Sequence, residues 1–316
     1  MRIENRVVVA IGGNSLIPDA EHQSVEDQFR AARATDHSLG ELVARGLEVA
    51  VVHGNGPQVG FILLRSELAR HQLHEVPLDV CVADTQGAIG YLLQQKLVED
   101  LRVRGIDRGV VSLVTQVEVD PDDPAFAAPT KPIGSFLDAE EAAQRHRDEG
   151  WDVAEDADRG WRRVVASPRP RRILELDAIR RLLDDGFVVI AVGGGGIPVV
   201  VDPDGTLRGV AAVIDKDHAA ALLATELGAA RLLISTAVDR VSLHFGTPRQ
   251  RAVDHLTLAE ARAHLADGHH FAPGSMAPKI EAVTTFLAAG GHEAVITSPA
   301  LLPAALDGRA GTRITP

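Results

Sequence analysis

The chain has 316 residues, of which 45% are apolar and 24% charged, and its formal net charge is −12. A chain of this length can bury a large core, so we expect one large or two modest domains. The acidic balance disfavours nucleic acid and anionic membranes as main partners. No apolar run is long enough to span a bilayer or to form a signal-peptide core. The single cysteine, Cys81, cannot pair within the chain, which predicts a reducing, cytoplasmic location.

Strand-like and helix-like stretches alternate along the chain. In chain order the pattern predicts a strand over 6–11, a helix over 25–44, a strand over 48–52, a helix starting at Pro57, a helix over 84–104, and strands over 109–119, 187–192, 232–236 and 294–297. Strands separated by helices of this length predict an α/β fold with a parallel sheet and helices on both faces. The turn Asp202-Pro203-Asp204-Gly205 marks the predicted boundary between an N-terminal lobe, 1–206, and a C-terminal lobe, 207–316.

The stretch from about 120 to 170 breaks this alternation. It is rich in proline and charge, and it contains both tryptophans, Trp151 and Trp161. Long segments of this kind in compact proteins are either functional or disordered, and the tryptophans argue against disorder. We therefore expect a small excursion from the sheet, with one helix over 139–147 and the character of a lid.

Three predicted strands end in glycine clusters, namely Gly12-Gly13-Asn14, Gly54-Asn55-Gly56 and Gly193-Gly194-Gly195-Gly196. In a parallel sheet the carboxyl ends of the strands share one edge, where open α/β folds bind ligands. Glycines at that edge allow backbone N–H groups to approach an anion closely. Each cluster alone also fits a tight turn. Three together favour an anion site.

Lysine is scarce in this chain. It occurs only at Lys96, Lys131, Lys216 and Lys279, and the other 28 basic residues are arginines. A lysine that persists in such a chain can mark a position where a compact ammonium is required and a planar guanidinium is not suitable. Lys96 lies in a predicted helix and fits an ordinary surface position. The other three lie next to proline, glycine or aspartate, which is unusual for a solvated helix face.

Glycine loops and isolated lysines suit phosphoryl transfer, in which the protein mainly positions the reactants and neutralises charge. No lysine follows a glycine, so a Walker-type loop is excluded. The dinucleotide fingerprint fails because Gly54 and Gly56 are followed by Gly60, one position too late, which leaves a dehydrogenase as a minor alternative. Asp215 and Asp217 flank Lys216, and either carboxylate could hold that lysine or cap the following helix. His269-His270 fits a polar loop.

Long strings in the chain resemble the carbamate kinases, a branch of the amino acid kinase family. They are Ala10 to Asn14, His53 to Gly60, Thr85 to Gly87, Pro129 to Gly134, Arg159 to Arg162, Gly193 to Val199, Val213 to Asp217, Phe271 to Met276 and Pro278 to Ala282. The resemblance runs nearly end to end, and the segment carrying Lys131 resembles the protruding subdomain of that branch. It implies a three-layer α/β/α sandwich around a mainly parallel sheet, with the subdomain inserted over about 120–170.

The resemblance also implies an activity, the reversible reaction of ATP and carbamate to ADP and carbamoyl phosphate, with Mg²⁺ carried by the nucleotide. It places Lys131, Lys216, Lys279 and Asp217 as catalytic residues, with Asp217 orienting Lys216 and Lys279. Gly12, Gly13, Asn14, Gly54, Asn55 and Gly56 would bind the substrate and the phosphoryl group. Thr236, Ala237, Val238, Asp239, Met276 and Pro278 would bind the nucleotide. The resemblance further implies a homodimer and a role in ATP synthesis during arginine or allantoin breakdown.

One departure from the family pattern lies on the predicted nucleotide side. Family members usually carry Thr-Gly-Val-Asp-Tyr where this chain has Thr236-Ala237-Val238-Asp239-Arg240. A methyl group at Ala237 would crowd the nucleotide if the family glycine serves close approach or a positive φ. We therefore expect weaker or altered nucleotide binding. Phe245 either supplies a ring near the base or belongs to the core. Two alternatives remain, a sibling kinase for another small carboxylate or phosphate, and a non-catalytic sensor.

Overall fold

The computed structural model describes residues 3–12, 24–155, 160–272 and 274–316. The strands and helices follow in this order: β1 (Ile3–Ile11), α1 (Val25–Ala44), β2 (Glu48–His53), α2 (Gly56–Ala69), α3 (Leu78–Val103), β3 (Val110–Ser112), β4 (Gln116–Val119), β5 (Lys131–Leu137), α4 (Ala139–Glu149), β6 (Val153–Glu155), β7 (Trp161–Val165), β8 (Pro170–Ile173), α5 (Leu176–Asp184), β9 (Val188–Ile190), β10 (Ile197–Val201), β11 (Leu207–Gly209), α6 (Lys216–Glu226), β12 (Ala229–Ser235), β13 (Ser242–Leu243), β14 (Arg251–Ala252), β15 (His255–Thr257), α7 (Leu258–Asp267), α8 (Met276–Ala288), β16 (Glu293–Thr297), α9 (Leu302–Leu306) and β17 (Thr312–Thr315).

The largest sheet runs through the whole molecule without a break. Its strand order is β15-β17-β16-β12-β1-β2-β9-β3. The central strand β1 pairs in parallel with both β12 and β2. The next pairings outward, to β16 on one side and to β9 and β3 on the other, are also parallel. Only the β16–β17 pairing within this sheet is antiparallel. The mainly parallel α/β sheet that was predicted is therefore confirmed. The lobe boundary at residue 206 stays a prediction.

Helices cover both faces of this sheet. Successive side chains of a strand point to opposite faces, so the two faces can be followed along β1. Val8 packs into a buried cluster that includes Leu223 of α6 and other side chains of α6 and α8. Val9 packs into a second cluster with Leu42 of α1 and Leu93 of α3. Because β1 is apolar toward both faces, the sheet is the middle layer of an α/β/α sandwich.

A small subdomain interrupts a second sheet. That sheet has the order β11-β10-β4-β8, and its antiparallel neighbours β4 and β8 flank the predicted excursion. The chain therefore leaves the body and returns to it at one place. Between these strands lie α4 and the antiparallel sheet β5-β7-β6. The guanidinium groups of Arg145 and Arg163 lie 4.9 and 4.6 Å from the Trp151 ring and bind α4 to β7.

The subdomain lies against α2 at a point where two glycines meet. A Cβ atom added at Gly60 would lie 2.8 Å from the Cα atom of Gly134, so the two backbones touch. This contact gives Gly60 a packing role between α2 and the subdomain. None of the helices in the described ranges is both long enough and apolar enough to cross a bilayer.

Several predicted elements differ from the structure at their ends, and β1 and β12 each begin three residues earlier than predicted. The strand expected over 109–119 is two strands in different sheets, because Thr115 between them bonds to the side chain of Gln86 and the chain changes sheet there. The helix expected over 84–104 begins earlier, at Leu78. The strand expected over 187–192 covers Val188–Ile190 and ends before Val192, which has a φ of 56°. An apolar β-branched run shows neither where a strand ends nor which sheet it joins.

Candidate active site

A cavity of about 460 Å³ opens at the carboxyl ends of β1, β2 and β12, beneath the subdomain. Most of the predicted site residues line it: Gly12, Gly54, Asn55, Gly56, Lys131, Lys216, Asp217, Thr236, Ala237, Pro278 and Lys279. Three other predicted residues, Val238, Asp239 and Met276, are not part of this lining. Gly13 and Asn14 lie outside the described residues. The edge of the sheet thus gathers residues from widely separated parts of the chain, as parallel topology requires.

Asp217 joins two of the three predicted catalytic lysines. Its Oδ1 accepts a hydrogen bond from Lys216 Nζ at 2.6 Å, and its Oδ2 accepts one from Lys279 Nζ at 2.8 Å. Lys216 is the first residue of α6, and Lys279 lies in the first turn of α8. Asp217 is only 2% exposed. The N-termini of two packed helices therefore hold both ammonium groups on one buried carboxylate, and we call these three residues the body cluster.

Burial and charge act against each other in the body cluster. Burial raises the pKa of Asp217, but the two neighbouring ammonium groups outweigh it and hold that pKa below its usual value. Burial lowers the pKa of Lys216, and the Asp217 carboxylate offsets only part of this effect. Burial also acts to lower the pKa of Lys279, but Asp217 outweighs it and the pKa is raised. Asp217 thus stays ionised. With both lysines protonated, the cluster carries one net positive charge.

Lys131 approaches the same cavity from the subdomain. Its Nζ donates to Oδ2 of Asp215 at 2.7 Å. The other carboxylate oxygen, Oδ1, accepts a hydrogen bond from the backbone N–H of Asp217 and caps α6. Burial acts to raise the pKa of Asp215, but Lys131 and Lys216 outweigh it and the pKa is lowered. Asp215 therefore caps the helix and holds a lysine from another element, whereas Asp217 holds Lys216 itself.

The Gly193 to Gly196 cluster lies against two polar side chains, His53 at the end of β2 and Asn55 just after it. A Cβ atom at Gly193 would lie 2.3 Å from His53 Nε2, and one at Gly194 would lie 2.1 Å from Asn55 Nδ2. The φ angles of Gly194, Gly195 and Gly196 are all positive, which side-chain-bearing residues rarely adopt. Glycine is therefore required here by close approach and by backbone conformation, and Gly194 also lines the cavity.

Buried polar residues that had no predicted role support this wall. His53 Nδ1 lies 3.1 Å from the Gly54 carbonyl oxygen, and burial lowers the His53 pKa to about 4. Asn55 Nδ2 donates to Thr85 Oγ1 at 2.8 Å. Gln86 Nε2 donates to the carbonyl oxygens of Thr115 and Gly193. These residues stand in the strings that carry the family resemblance, but their spacing alone gives no sign of their contacts.

A further ionic group connects the base of the subdomain to the helices of the body cluster. Arg169, just before β8, donates to Glu281 of α8 at 2.7 Å and also contacts the ring of His218 on α6. The Arg169 backbone N–H donates to Asp123 Oδ2 at 2.9 Å. Burial lowers the pKa of His218. These residues had no predicted role, although His218 directly follows Asp217 and Glu281 lies two positions after Lys279.

The predicted nucleotide side shows no backbone strain at Ala237. The non-glycine residues with a positive φ in the described part of the chain are Val192 and His244. Ala237 therefore does not need the positive φ that would favour a glycine at this position. Weaker nucleotide binding, caused by the Ala237 methyl group, stays a prediction. Arg240 Nε lies 2.8 Å from Asp254 Oδ1 at the surface. Phe245 is 57% exposed, so the core alternative for this residue is wrong.

Across residues 3–12, 24–155, 160–272 and 274–316, no group of three or more His, Cys, Asp or Glu side chains could hold a metal ion. The two carboxylates lining the cavity, Asp215 and Asp217, are already bound to lysines. A divalent cation in this cavity would therefore depend on a bound substrate for most of its ligands.

Comparison with known proteins gives a consistent result. The model of the amino acid kinase family matches residues 5–298. The chain is 50% identical over 314 residues to a carbamate kinase of Clostridium perfringens, covering 98% of this chain and 99% of that protein. It is 51% identical over 311 residues to the carbamate kinase-like protein YahI of Escherichia coli, covering 98% of each. The carbamate kinase from Giardia lamblia bound to AMP-PNP superposes with a TM-score of 0.91 at 39% identity, covering 100% of this chain and 99% of that one. The chain belongs to the amino acid kinase family and, within it, to the carbamate kinases.

Proposed function

We propose that the protein catalyses the reversible reaction of ATP and carbamate to ADP and carbamoyl phosphate. The observation that carries this proposal is the body cluster, in which Asp217 holds Lys216 and Lys279 at the cavity. Phosphoryl transfer requires cations positioned around a group whose negative charge spreads over its oxygens. With both lysines protonated, a buried cluster with one net positive charge meets this requirement, and its three residues line the cavity.

The arrangement of the lining supports an assignment of roles. The loop that includes Gly12 would cradle the transferred phosphoryl group together with Lys216 and Lys279. The segment Gly54 to Gly56 would hold the carbamate end. Thr236, Ala237 and Pro278 line the side of the cavity on which the nucleotide would lie. Lys131 would neutralise charge from the opposite wall.

In the proposed step, a carbamate oxygen attacks the γ-phosphorus of ATP, and the bond between this phosphorus and the bridging oxygen of ADP breaks. Carbamate is an anion, so no proton has to be removed from the acceptor and no general base is required. The chain contributes positioning and electrostatic stabilisation. Mg²⁺ would enter with the phosphates of the nucleotide, whose charge it reduces.

We further propose that the protein works mainly toward ATP synthesis, in arginine or allantoin catabolism. Carbamoyl phosphate is a mixed anhydride of a carbamic and a phosphoric acid, and such anhydrides transfer their phosphoryl group readily to ADP. The same reaction read in the other direction would supply carbamoyl phosphate. A cytoplasmic location agrees with the single buried Cys81. A homodimer is also expected, and analytical ultracentrifugation tests it.

The decisive experiment measures ATP formation from ADP and carbamoyl phosphate with Mg²⁺. Wild type should form ATP rapidly, and Lys131→Ala should lower kcat/KM by about tenfold or more, since a charge-assisted hydrogen bond contributes about 1.5–3 kcal/mol. Lys96→Ala is the matched control, because Lys96 is not part of the cavity lining and pairs with Glu99 at 2.7 Å within α3. Its side chain is 14% exposed and lies over the Phe29 ring, so it is less exposed than the predicted surface position. An unchanged rate in Lys131→Ala would remove the assigned role of Lys131 but keep the activity. A folded wild type that binds ADP and forms no ATP would favour a sibling substrate or a sensor.

A further inference from the structure

A short chain of buried hydrogen bonds runs behind the segment proposed to hold the carbamate end. The Asn55 side chain donates from Nδ2 to Thr85 Oγ1 at 2.8 Å. The Thr85 hydroxyl in turn donates to the backbone carbonyl oxygen of Val82 at 2.6 Å, one turn earlier in α3. Asn55 is 3% exposed and Thr85 is fully buried. Solvent therefore does not compete for these bonds.

The direction of each bond follows from the chemistry of its atoms. A carbonyl oxygen only accepts, so the single hydroxyl proton of Thr85 is directed at Val82. Thr85 can then offer Asn55 only a lone pair. The amide must turn its NH₂ group toward Thr85, because the opposite orientation would bring two acceptors together. Thr85 therefore does not pair with the carbonyl oxygen Oδ1 of Asn55.

Nothing in the described part of the chain donates a hydrogen bond to Asn55 Oδ1. The residue lines the cavity, and the backbone of Gly194 packs beside its amide with no Cβ atom between them. A ligand in the cavity, or a water bound to it, can supply a donor for this oxygen. The wall is therefore set to recognise an N–H group.

We propose that Thr85 is a positioning residue that holds Asn55 with its oxygen toward the substrate, and that this oxygen selects the amino group of a carbamoyl substrate. The inference rests on the function proposed above and specifies how that site chooses its acyl group. Carbamoyl phosphate and acetyl phosphate differ at one position, where the first has NH₂ and the second has CH₃ of similar size. A site built to accept an N–H bond leaves its acceptor unpaired when a methyl group takes that place, and such sites discriminate strongly.

The test compares two phosphoryl donors, carbamoyl phosphate and acetyl phosphate, each with ADP and Mg²⁺. The proteins are wild type, Thr85→Val and Thr85→Ser. Wild type should prefer carbamoyl phosphate in kcat/KM by about a hundredfold or more, since unpaired buried acceptors cost that order of discrimination. Thr85→Val keeps the shape but removes the acceptor, so the amide is free to turn. Its preference should fall by about tenfold, the equivalent of one hydrogen bond. Thr85→Ser keeps the hydroxyl and should keep the preference.

The outcomes separate this inference from the proposed function. If wild type uses carbamoyl phosphate but shows less than a threefold preference over acetyl phosphate, the selection by Asn55 is wrong, and this result needs no variant. If Thr85→Val loses activity equally with both donors, Thr85 contributes packing alone and the inference is again wrong. If wild type forms ATP from neither donor, the proposed function fails and the inference fails with it. A selective loss with carbamoyl phosphate, restored in Thr85→Ser, supports both.

Discussion

The two walls of the cavity hold their lysines by different means. In the body cluster, Lys216 and Lys279 have side chains that are 12% and 14% exposed and share one carboxylate on the N-termini of two packed helices. On the opposite wall, Lys131 is 33% exposed and makes one ion pair from a three-stranded subdomain. The first arrangement fixes two ammonium groups before any substrate binds. On the subdomain side, the Lys131 ammonium group becomes free when its single ion pair with Asp215 breaks.

This difference indicates a division of labour. A preorganised charge costs no rearrangement at the moment of reaction and can act fully on the transition state. A charge on a separate subdomain can move with it and act on substrate capture. We therefore expect changes in the body cluster to lower kcat and changes around Lys131 to act mainly on KM.

The largest effect is expected from removing a lysine of the body cluster. Lys216→Ala and Lys279→Ala should each lower kcat by about two orders of magnitude or more, the scale seen when a preorganised donor is removed. Lys216→Arg and Lys279→Arg should also be poor, because the broad guanidinium displaces the phosphoryl oxygens. Steady-state ATP formation measures this, with Lys96→Ala as the control. Near-normal turnover in the arginine variants would refute the requirement for a compact ammonium.

A smaller effect, with a distinct pH signature, is expected from Asp217→Asn. The amide keeps the size of the carboxylate but removes its charge, which favours the protonated form of both lysines. Without it both lysines lose their protons at lower pH. The variant should therefore lose activity on the alkaline side at a pH about one unit or more below that of wild type, and kcat at neutral pH should fall about tenfold. Profiles of kcat from pH 6 to 10 measure this. An alkaline limb at the wild-type position would contradict the assigned role of Asp217.

The smallest effect is expected at the partner of Lys131. Asp215→Asn retains an oxygen that can cap α6 but loses the charge that holds Lys131. It should change the KM for carbamoyl phosphate by a factor of about three. It should also lower the unfolding free energy at neutral pH by about 1 kcal/mol, because Lys131 and Lys216 hold the Asp215 pKa below its usual value. Asp215→Ala also removes the cap and should lose about 1 kcal/mol more. Urea unfolding and KM measurements on both variants separate the two roles. A large fall in kcat for Asp215→Asn would place Lys131 with the body cluster.

Sequence patterns alone predicted the order of strands and helices in the body of the molecule. The α1 range, the strand ends near His53 and Thr297, and the parallel arrangement follow from local periodicity, which depends on nearby residues. The excursion over 120–170 was visible as a change in composition. Its three strands were not, because the pairing of β5 with β7 joins residues about thirty positions apart and leaves little local signal.

The candidate site likewise combines residues that the sequence predicted with contacts that only the fold revealed. Scarcity singled out Lys131, Lys216 and Lys279, since a rare residue type is visible without any knowledge of contacts. The family resemblance implied that Asp217 orients Lys216 and Lys279, and the structure shows it bonded to both. The pair between Lys131 and Asp215 was not predicted, because side chains 84 residues apart meet only when the sheet and the subdomain are assembled. For the same reason, only the tertiary structure placed the Asn55 amide against the Thr85 hydroxyl. Local chemistry selects the residue types, and the fold decides which of their atoms meet.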